Sequence, residues 1–124
     1  MTPASFDHHA PSTIEEALGL LGQAGGDARI LAGGQSLVPA MASRLAQPSV
    51  LVDINRLRDA PGLVEEADRL EIGPLVRHEA LRRMGTRTPL AELLAHLAEH
   101  VGTWPVRTRG TFCGSLAHAD PSSE

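Results

Sequence analysis

Two short segments hold most of the residues whose types and spacing could do chemistry. The first is Leu31-Ala32-Gly33-Gly34-Gln35-Ser36-Leu37. A diphosphate needs backbone N–H groups aimed at it with no Cβ in the way. Paired glycines allow that approach and permit a positive φ. A helix beginning at Leu37 would add free N–H groups and the positive end of its dipole. Ser36 could cap that helix or offer its hydroxyl to a phosphate oxygen. The spacing is neither GxGxxG nor GxxxxGK[ST], and no lysine follows, so this is not a P-loop. On the glycine pattern alone a plain strand-to-helix turn is the simpler account. The second segment is Arg109-Gly110-Thr111-Phe112-Cys113-Gly114-Ser115. It offers small residues, two hydroxyls and an open backbone, and taken alone it reads as a surface loop.

A third pattern points elsewhere. His96-Leu97-Ala98-Glu99-His100 matches H-x-x-E-H, in which two histidines one helical turn apart ligate zinc beside a glutamate base. The apolar stripe of Leu93, Leu94, Leu97 and Val101 sets the expected buried face, which leaves His96, Glu99 and His100 on the solvated flank. A third protein ligand would also be needed, so a zinc hydrolase is a distant alternative. Cys113 would need a positioned base to act as a nucleophile. His118 is five residues away with no element to bring it close, and a packing role is the better account. Arg107 and Arg109 could meet a phosphate or an acidic partner; a solvated or locally paired role is the ordinary alternative, favoured for Arg107. Trp104, the lone Trp, is read as core or interface packing as readily as packing on a ligand-facing side of the domain. The pair His8-His9 reads as part of a polar lead-in.

The elements that must carry these residues follow from periodicity and punctuation. Residues 5–11 read as extended. Ser12 and Thr13 precede Glu15 and Glu16, so either register gives a capping box for a helix over 13–24. Its apolar positions are Ile14, Ala17, Leu18 and Leu21, and Gly25-Gly26 stop it. Arg29 to Ala32 is a strand ending in the glycine turn. Leu37 to Leu45 is a short helix with Ser36 as N-cap and Pro39 in its first turn. Ser49 to Ile54 is a second strand, which completes a compressed βαβ unit. Leu63–Glu66 and Arg69–Gly73 form a hairpin. His78–Met84 is a short helix. Thr88-Pro89 opens a helix over 89–101, with Leu90, Leu93, Leu94, Leu97 and Val101 as one stripe closed by Gly102. From Gly102 onward no period is evident. Asp120-Pro121-Ser122-Ser123-Glu124 is a helix start with no apolar run behind it, and the expectation is a polypeptide truncated relative to its fold. A soft boundary at 56–62 separates a first α+β subdomain, 1–58, from the beginning of a second, 59–124.

Composition narrows the class. The chain has 124 residues, 42% of them hydrophobic and 21% charged, ordinary values for a folded domain. Only Phe6, Phe112 and Trp104 are aromatic, so aliphatic side chains and alanine must build the core. The formal net charge is −4 and every basic residue is Arg, which is no nucleic-acid footprint. No apolar stretch is long enough to span a membrane, and the N-terminus is not a secretory signal. A cytoplasmic protein is expected. One cysteine excludes an internal disulfide or an all-cysteine cluster site within this chain.

Taken together, the glycine segments have a family likeness. ARILAGGQSLVPAM, SRL and PSVLVDINRL, followed by VRTRGTFCGSLAHADPSSE, resemble the FAD-binding (medium) subunit of the molybdenum hydroxylases, of xanthine dehydrogenase and carbon monoxide dehydrogenase type. The resemblance spans essentially the whole chain; Phe6 and the SxxEAL pattern fit its opening and LEIGPLVRHEAL its middle. It implies an α+β FAD-binding domain similar in architecture to vanillyl-alcohol-oxidase-type flavoproteins. FAD would be held between two subdomains, the second of them incomplete here. Ala32, Gly33, Gly34, Gln35 and Ser36 stand where the family grips the FAD diphosphate. Thr111, Phe112, Cys113, Gly114 and Ser115 stand where its second loop contacts the diphosphate and ribityl side. Leu31 and Leu37 flank the first loop, and Val101, His118 and Glu124 stand where the family often has further flavin contacts. The resemblance also implies partners: a [2Fe–2S] small subunit and a molybdopterin large subunit, with electrons passing from the cluster to FAD and on to an acceptor. No residue of this subunit would be catalytic, and no metal is expected on it. A non-catalytic or partner-binding remnant of that subunit is the alternative. Two positions depart from the family. Cys113-Gly114 replaces a common Gly-Gly, so a Cβ at 113 is expected to crowd the backbone approach, and Thr108 replaces Asn in RNRG.

Overall fold

The computed structural model describes residues 1–123. Backbone contacts divide the chain into Met1–Ala60 and the residues from Pro61 onward. In the first unit β1 (Asp7–His9), β2 (Ala28–Leu31) and β3 (Val50–Asp53) form a parallel sheet of order β1-β3-β2. The expected βαβ unit is present: β2 and β3 pair in parallel from Ala28↔Val50 to Leu31↔Asp53, with α2 (Leu37–Ala42) in the crossover. The lead-in adds β1 to the other side of β3. The central strand is therefore the most buried, with Leu51 3% and Val52 0% exposed. Burying such a side chain stabilises by about 1.5–3 kcal/mol.

Helix α1 (Ile14–Ala24) lies against β2 and β3. The Thr13 hydroxyl accepts from the Glu16 N–H, and Glu16 reaches back to the N–H and hydroxyl of Ser12. The box thus closes one residue earlier than the reciprocal arrangement. Of the expected apolar positions only Ala17 is fully buried, and Leu18 is 63% exposed. Helix α2 ends at Ala42, not Leu45. The Ser43 hydroxyl donates to the Pro39 and Ala40 carbonyls, and Arg44 turns left-handed at φ 58°, letting the Leu45 and Ala46 N–H groups return to Ala40. These bonds satisfy the last carbonyls of α2.

In the second unit β4 (Leu63–Glu65) and β5 (Leu70–Ile72) make the expected antiparallel hairpin. Helix α3 (His78–Arg83) packs on α4 (Pro89–Ala98) and on α5 (Trp104–Arg109). Val76, Leu81 and Ala98 are the buried centre, with Leu63, Ile72, Met84 and Phe112 against it. Thr88 caps α4 by accepting from the Ala91 N–H, with Pro89 in the first turn.

Two expectations fail in this unit. The buried face of α4 is not the leucine stripe: Ala91 is 0% and Ala98 4% exposed, whereas Leu90, Leu93 and Leu97 are 45–53% exposed. Small residues seven apart let α3 and α4 approach closely, and that contact turns the leucines outward. Helix α4 also stops at Ala98 and does not reach Val101. The aperiodic stretch after Gly102 is largely helical, as α5 and α6 (Phe112–His118). Its helices are too short for an apolar period to show. Among the described residues no helix is long and apolar enough to cross a membrane.

Candidate functional site

The first glycine segment leaves β2 at Leu31 and enters α2 at Leu37, as its sequence implies. Gly34 sits at φ +71°, in the region that favours glycine. A Cβ there would lie 3.0 Å from Val38 Cγ2 and 3.3 Å from Leu31 Cδ1. Ser36 occupies the cap position but its side chain makes no cap bond, which corrects the capping expectation: its backbone is α-like, at φ −103° and ψ −45°. The Gln35 amide donates to the Gly33 carbonyl at 3.0 Å and folds the turn on itself. Among the described residues, no acceptor meets the backbone N–H groups of Gly33, Gly34, Gln35 or Ser36. The loop therefore presents unsatisfied donors, a bare glycine and a hydroxyl, the donor set that suits an anionic oxygen.

The base of this loop is held by a residue not singled out by sequence. Asn55 donates its side-chain amide to the Ala32 carbonyl at 2.8 Å and to Asp53 Oδ1 at 2.7 Å. The Ile54 N–H donates to the Leu31 carbonyl at 3.0 Å. Burial raises the Asp53 carboxyl, but the Asn55 backbone and side-chain donors and the nearby His8 ring together hold it below its ordinary value. Asn55 is the only asparagine in the chain. Its place just past the end of β3 is the one signal that could have marked it.

The second segment is not an open loop. Gly110 ends α5, Thr111 is the N-cap of α6, and Phe112 to Ser115 form the first turn. The Thr111 hydroxyl accepts from the Gly114 N–H at 3.0 Å, and the residue is only 3% exposed. Cys113 does not adopt a positive φ. Cys113 has ordinary helical backbone, and its thiol turns inward to the Ile72 and Gly73 carbonyls at 3.4 and 3.5 Å.

Four consecutive residues, Val76 to Glu79, hold this segment in place. The Val76 carbonyl accepts from the Phe112 N–H, and the Gly110 carbonyl accepts from the His78 N–H. The Arg77 guanidinium donates to the Arg109 carbonyl at 2.6 Å, and Arg77 bridges Thr111. His78 Nε2 lies 3.0 Å from Ser115 Oγ. Glu79 takes Arg82, Arg83 and Arg107. The Arg82 hydrogen bond, opposed by desolvation and supported by Arg107 and the arginine charges, holds its carboxyl down to about 2. Arg107 also donates to the Glu99, Val101 and Gly102 carbonyls past the end of α4. Its pairing is thus structural, with a partner 28 positions away. The Glu79–Arg82–Arg83 spacing was legible in the sequence; the reach to Arg107 was not.

The flanking candidates are scattered. Val101 lies just past α4 and His118 ends α6, while Glu124 lies outside the described residues. Trp104 is 57% exposed. His96 and His100 stack edge to face at 5.4 Å, with Glu99 3.8 Å from His96. Among the described residues no three His, Cys, Asp or Glu side chains are grouped to hold a metal ion.

The FAD binding domain in molybdopterin dehydrogenase matches residues 4–124. The carbon monoxide dehydrogenase medium chain of Hydrogenophaga pseudoflava is 41% identical over 124 residues, 100% of this chain and 43% of that protein. The 6-hydroxypseudooxynicotine dehydrogenase complex subunit alpha of Paenarthrobacter nicotinovorans is 42% identical, over 100% of this chain and 42% of that protein. The solved carbon monoxide dehydrogenase of Hydrogenophaga pseudoflava superposes with a TM-score of 0.89 at 41% identity, covering 100% of this chain and 43% of that one. Quinoline 2-oxidoreductase of Pseudomonas putida 86 gives 0.88 at 37% identity, again over 100% of this chain and 43% of that one. The chain spans less than half the length of these relatives. It belongs to the family of FAD-binding domains found in molybdopterin dehydrogenases.

Proposed function

We propose that this chain is the FAD-binding part of the flavin subunit of a molybdopterin-dependent oxidoreductase. Electrons would pass from a [2Fe–2S] small subunit, fed by a molybdopterin large subunit, to FAD and on to an acceptor, in a cytoplasmic complex. The relatives' designations as medium chain and subunit alpha support an assembly with other subunits. Residues 1–58 correspond to the family's first subdomain and 59–124 to the start of its second, in a vanillyl-alcohol-oxidase-like architecture.

The residues present fit the cofactor. In the first loop, Ala32 to Ser36, a Cβ at Gly34 would press on the Val38 and Leu31 side chains, and the donors of Gly33 to Ser36 are without acceptors among the described residues. These groups bind the FAD diphosphate and the Ser36 hydroxyl donates to it. In the second loop, Thr111 to Ser115, Thr111 is committed to its cap and Cys113 to the interior. The Gly114 N–H is the donor taken by that cap, which leaves the Ser115 hydroxyl to face the ligand. Leu31, Leu37, Val101, His118 and Glu124 are further contact positions. Bound FAD supplies the redox chemistry, which no side chain of this chain can perform. The chain's own part is to hold and orient the cofactor.

The observation that carries the reading is the unsatisfied, glycine-bare turn between β2 and α2, at the family's diphosphate position. An FAD titration followed by flavin and Trp104 fluorescence tests it. Saturable binding abolished by Gly34→Arg is the expected result. Unchanged affinity in Gly34→Arg would overturn the assignment of the loop.

A further inference from the structure

His78 is 5% exposed, in a chain whose other histidines all lie at more open positions. Its backbone N–H is spent on the Gly110 carbonyl at 3.0 Å. Its ring is placed on Ser115, 37 positions later, with Nε2 3.0 Å from Oγ. A serine hydroxyl has one proton to give and two lone pairs. If the ring accepts that proton, Ser115 has only lone pairs left and cannot donate to an anion. If Nε2 carries its own proton and donates, the Ser115 proton is released for another acceptor. A phosphate oxygen needs a donor, so an anionic ligand at Ser115 selects the second arrangement.

We propose that His78 is a positioning residue for the cofactor diphosphate, fixing the Ser115 hydroxyl as a donor by giving it the Nε2 proton. This rests on the reading of Ser115 as a cofactor position. His78 does not touch the cofactor; it acts through Ser115. The same short strap, Val76 to Glu79, also sets the backbone of Gly110 to Phe112, so the ring and the turn it serves are placed by one element. The pairing makes the second cofactor segment dependent on a residue outside every glycine motif.

The test is FAD affinity of the full-length protein, read by flavin fluorescence, in a double-mutant cycle with thermal melts alongside. His78→Phe is expected to weaken FAD binding about tenfold, the size of one lost hydrogen bond to a charged acceptor. In the Ser115→Ala background it should have no further effect. His78→Gln, whose side-chain amide can donate from the same place, should recover affinity to within about threefold. Equal losses from His78→Phe in both backgrounds, or no recovery by His78→Gln in a folded protein, would overturn the role of His78. If Ser115→Ala leaves affinity unchanged while Gly34→Arg abolishes it, the fault lies in the reading of the second loop. A parent protein that does not bind FAD overturns both.

Discussion

The side-chain amide of Asn55 donates to the carbonyl of Ala32 at 2.8 Å, across 23 positions of chain. It anchors the last fixed carbonyl before the glycine turn to the residue that follows the central strand. The loop whose N–H groups have no acceptor among the described residues is therefore tied at its base. Asn55→Ala removes that tie and the second bond to Asp53. The expected cost is about 1 kcal/mol in urea unfolding, with FAD affinity falling severalfold because the loop is no longer pre-set. An unchanged affinity would show that Gln35 and the sheet suffice to shape the turn.

Gly34 is the position where the backbone itself decides. Gly34→Ala places a methyl in a left-handed conformation and against Val38. Strain of that kind costs roughly 1–2 kcal/mol. Pairing it with Val38→Ala relieves the contact but not the φ. The double variant should regain only part of the lost stability, which thermal melts of the two proteins would show.

Glu79 gives a pH signature. Its carboxyl is held down to about 2 from an ordinary 4.5 by Arg82 and Arg107, against desolvation. A depressed carboxylate contributes stability that is complete above about 4.5 and is lost as pH falls toward about 2. Glu79→Gln should lower the melting temperature at neutral pH by several degrees and flatten the stability profile between those two values. A variant with the parent's slope across that window would remove Glu79 as the acid-sensitive group.

Thr111 and Gly114 are coupled with opposite signs. A Cβ at Gly114 would fall 2.6 Å from Thr111 Oγ1, so Gly114→Ala in the parent displaces the cap, at about 1 kcal/mol. With Thr111→Ala already present the clash is gone. The same substitution should then stabilise by about 1 kcal/mol through helix propensity. Denaturant curves for the four proteins give the coupling directly.

On α4 the leucines and alanines exchange their usual roles. Leu93→Gln should change stability by no more than about 0.5 kcal/mol, since Leu93 is 53% exposed. Ala98→Leu should cost about 1–3 kcal/mol by overfilling the contact with α3. The reverse ranking, measured by thermal melts, would restore the leucine stripe as the buried face.

Much of this protein was legible from its residues. Thr13 and Thr88 announce their helices, Gly25 closes α1, and the alternation from Leu63 to Gly73 gives the hairpin. These are local signals, set by capping chemistry and chain period within a few residues. The motif around Gly33-Gly34 was legible for the same reason, because a strand, a glycine pair and a helix start lie side by side. The helices α5 and α6 were not. At six and seven residues they are too short to carry a period, and their stability comes from the strap at Val76 to Glu79.

The sequence by itself determined the order of elements as far as α4, the position of both glycine segments and the family. Each of these depends on residues near one another in the chain. Only the tertiary structure decided that α4 buries Ala91 and Ala98 in place of its leucines. It also assigned Asn55 to the Ala32 carbonyl, Arg107 to Glu79 and His78 to Ser115. Those choices belong to contacts across 23 to 37 positions. A hydrogen bond of that reach depends on where packing delivers each backbone, which neither local propensity nor spacing encodes.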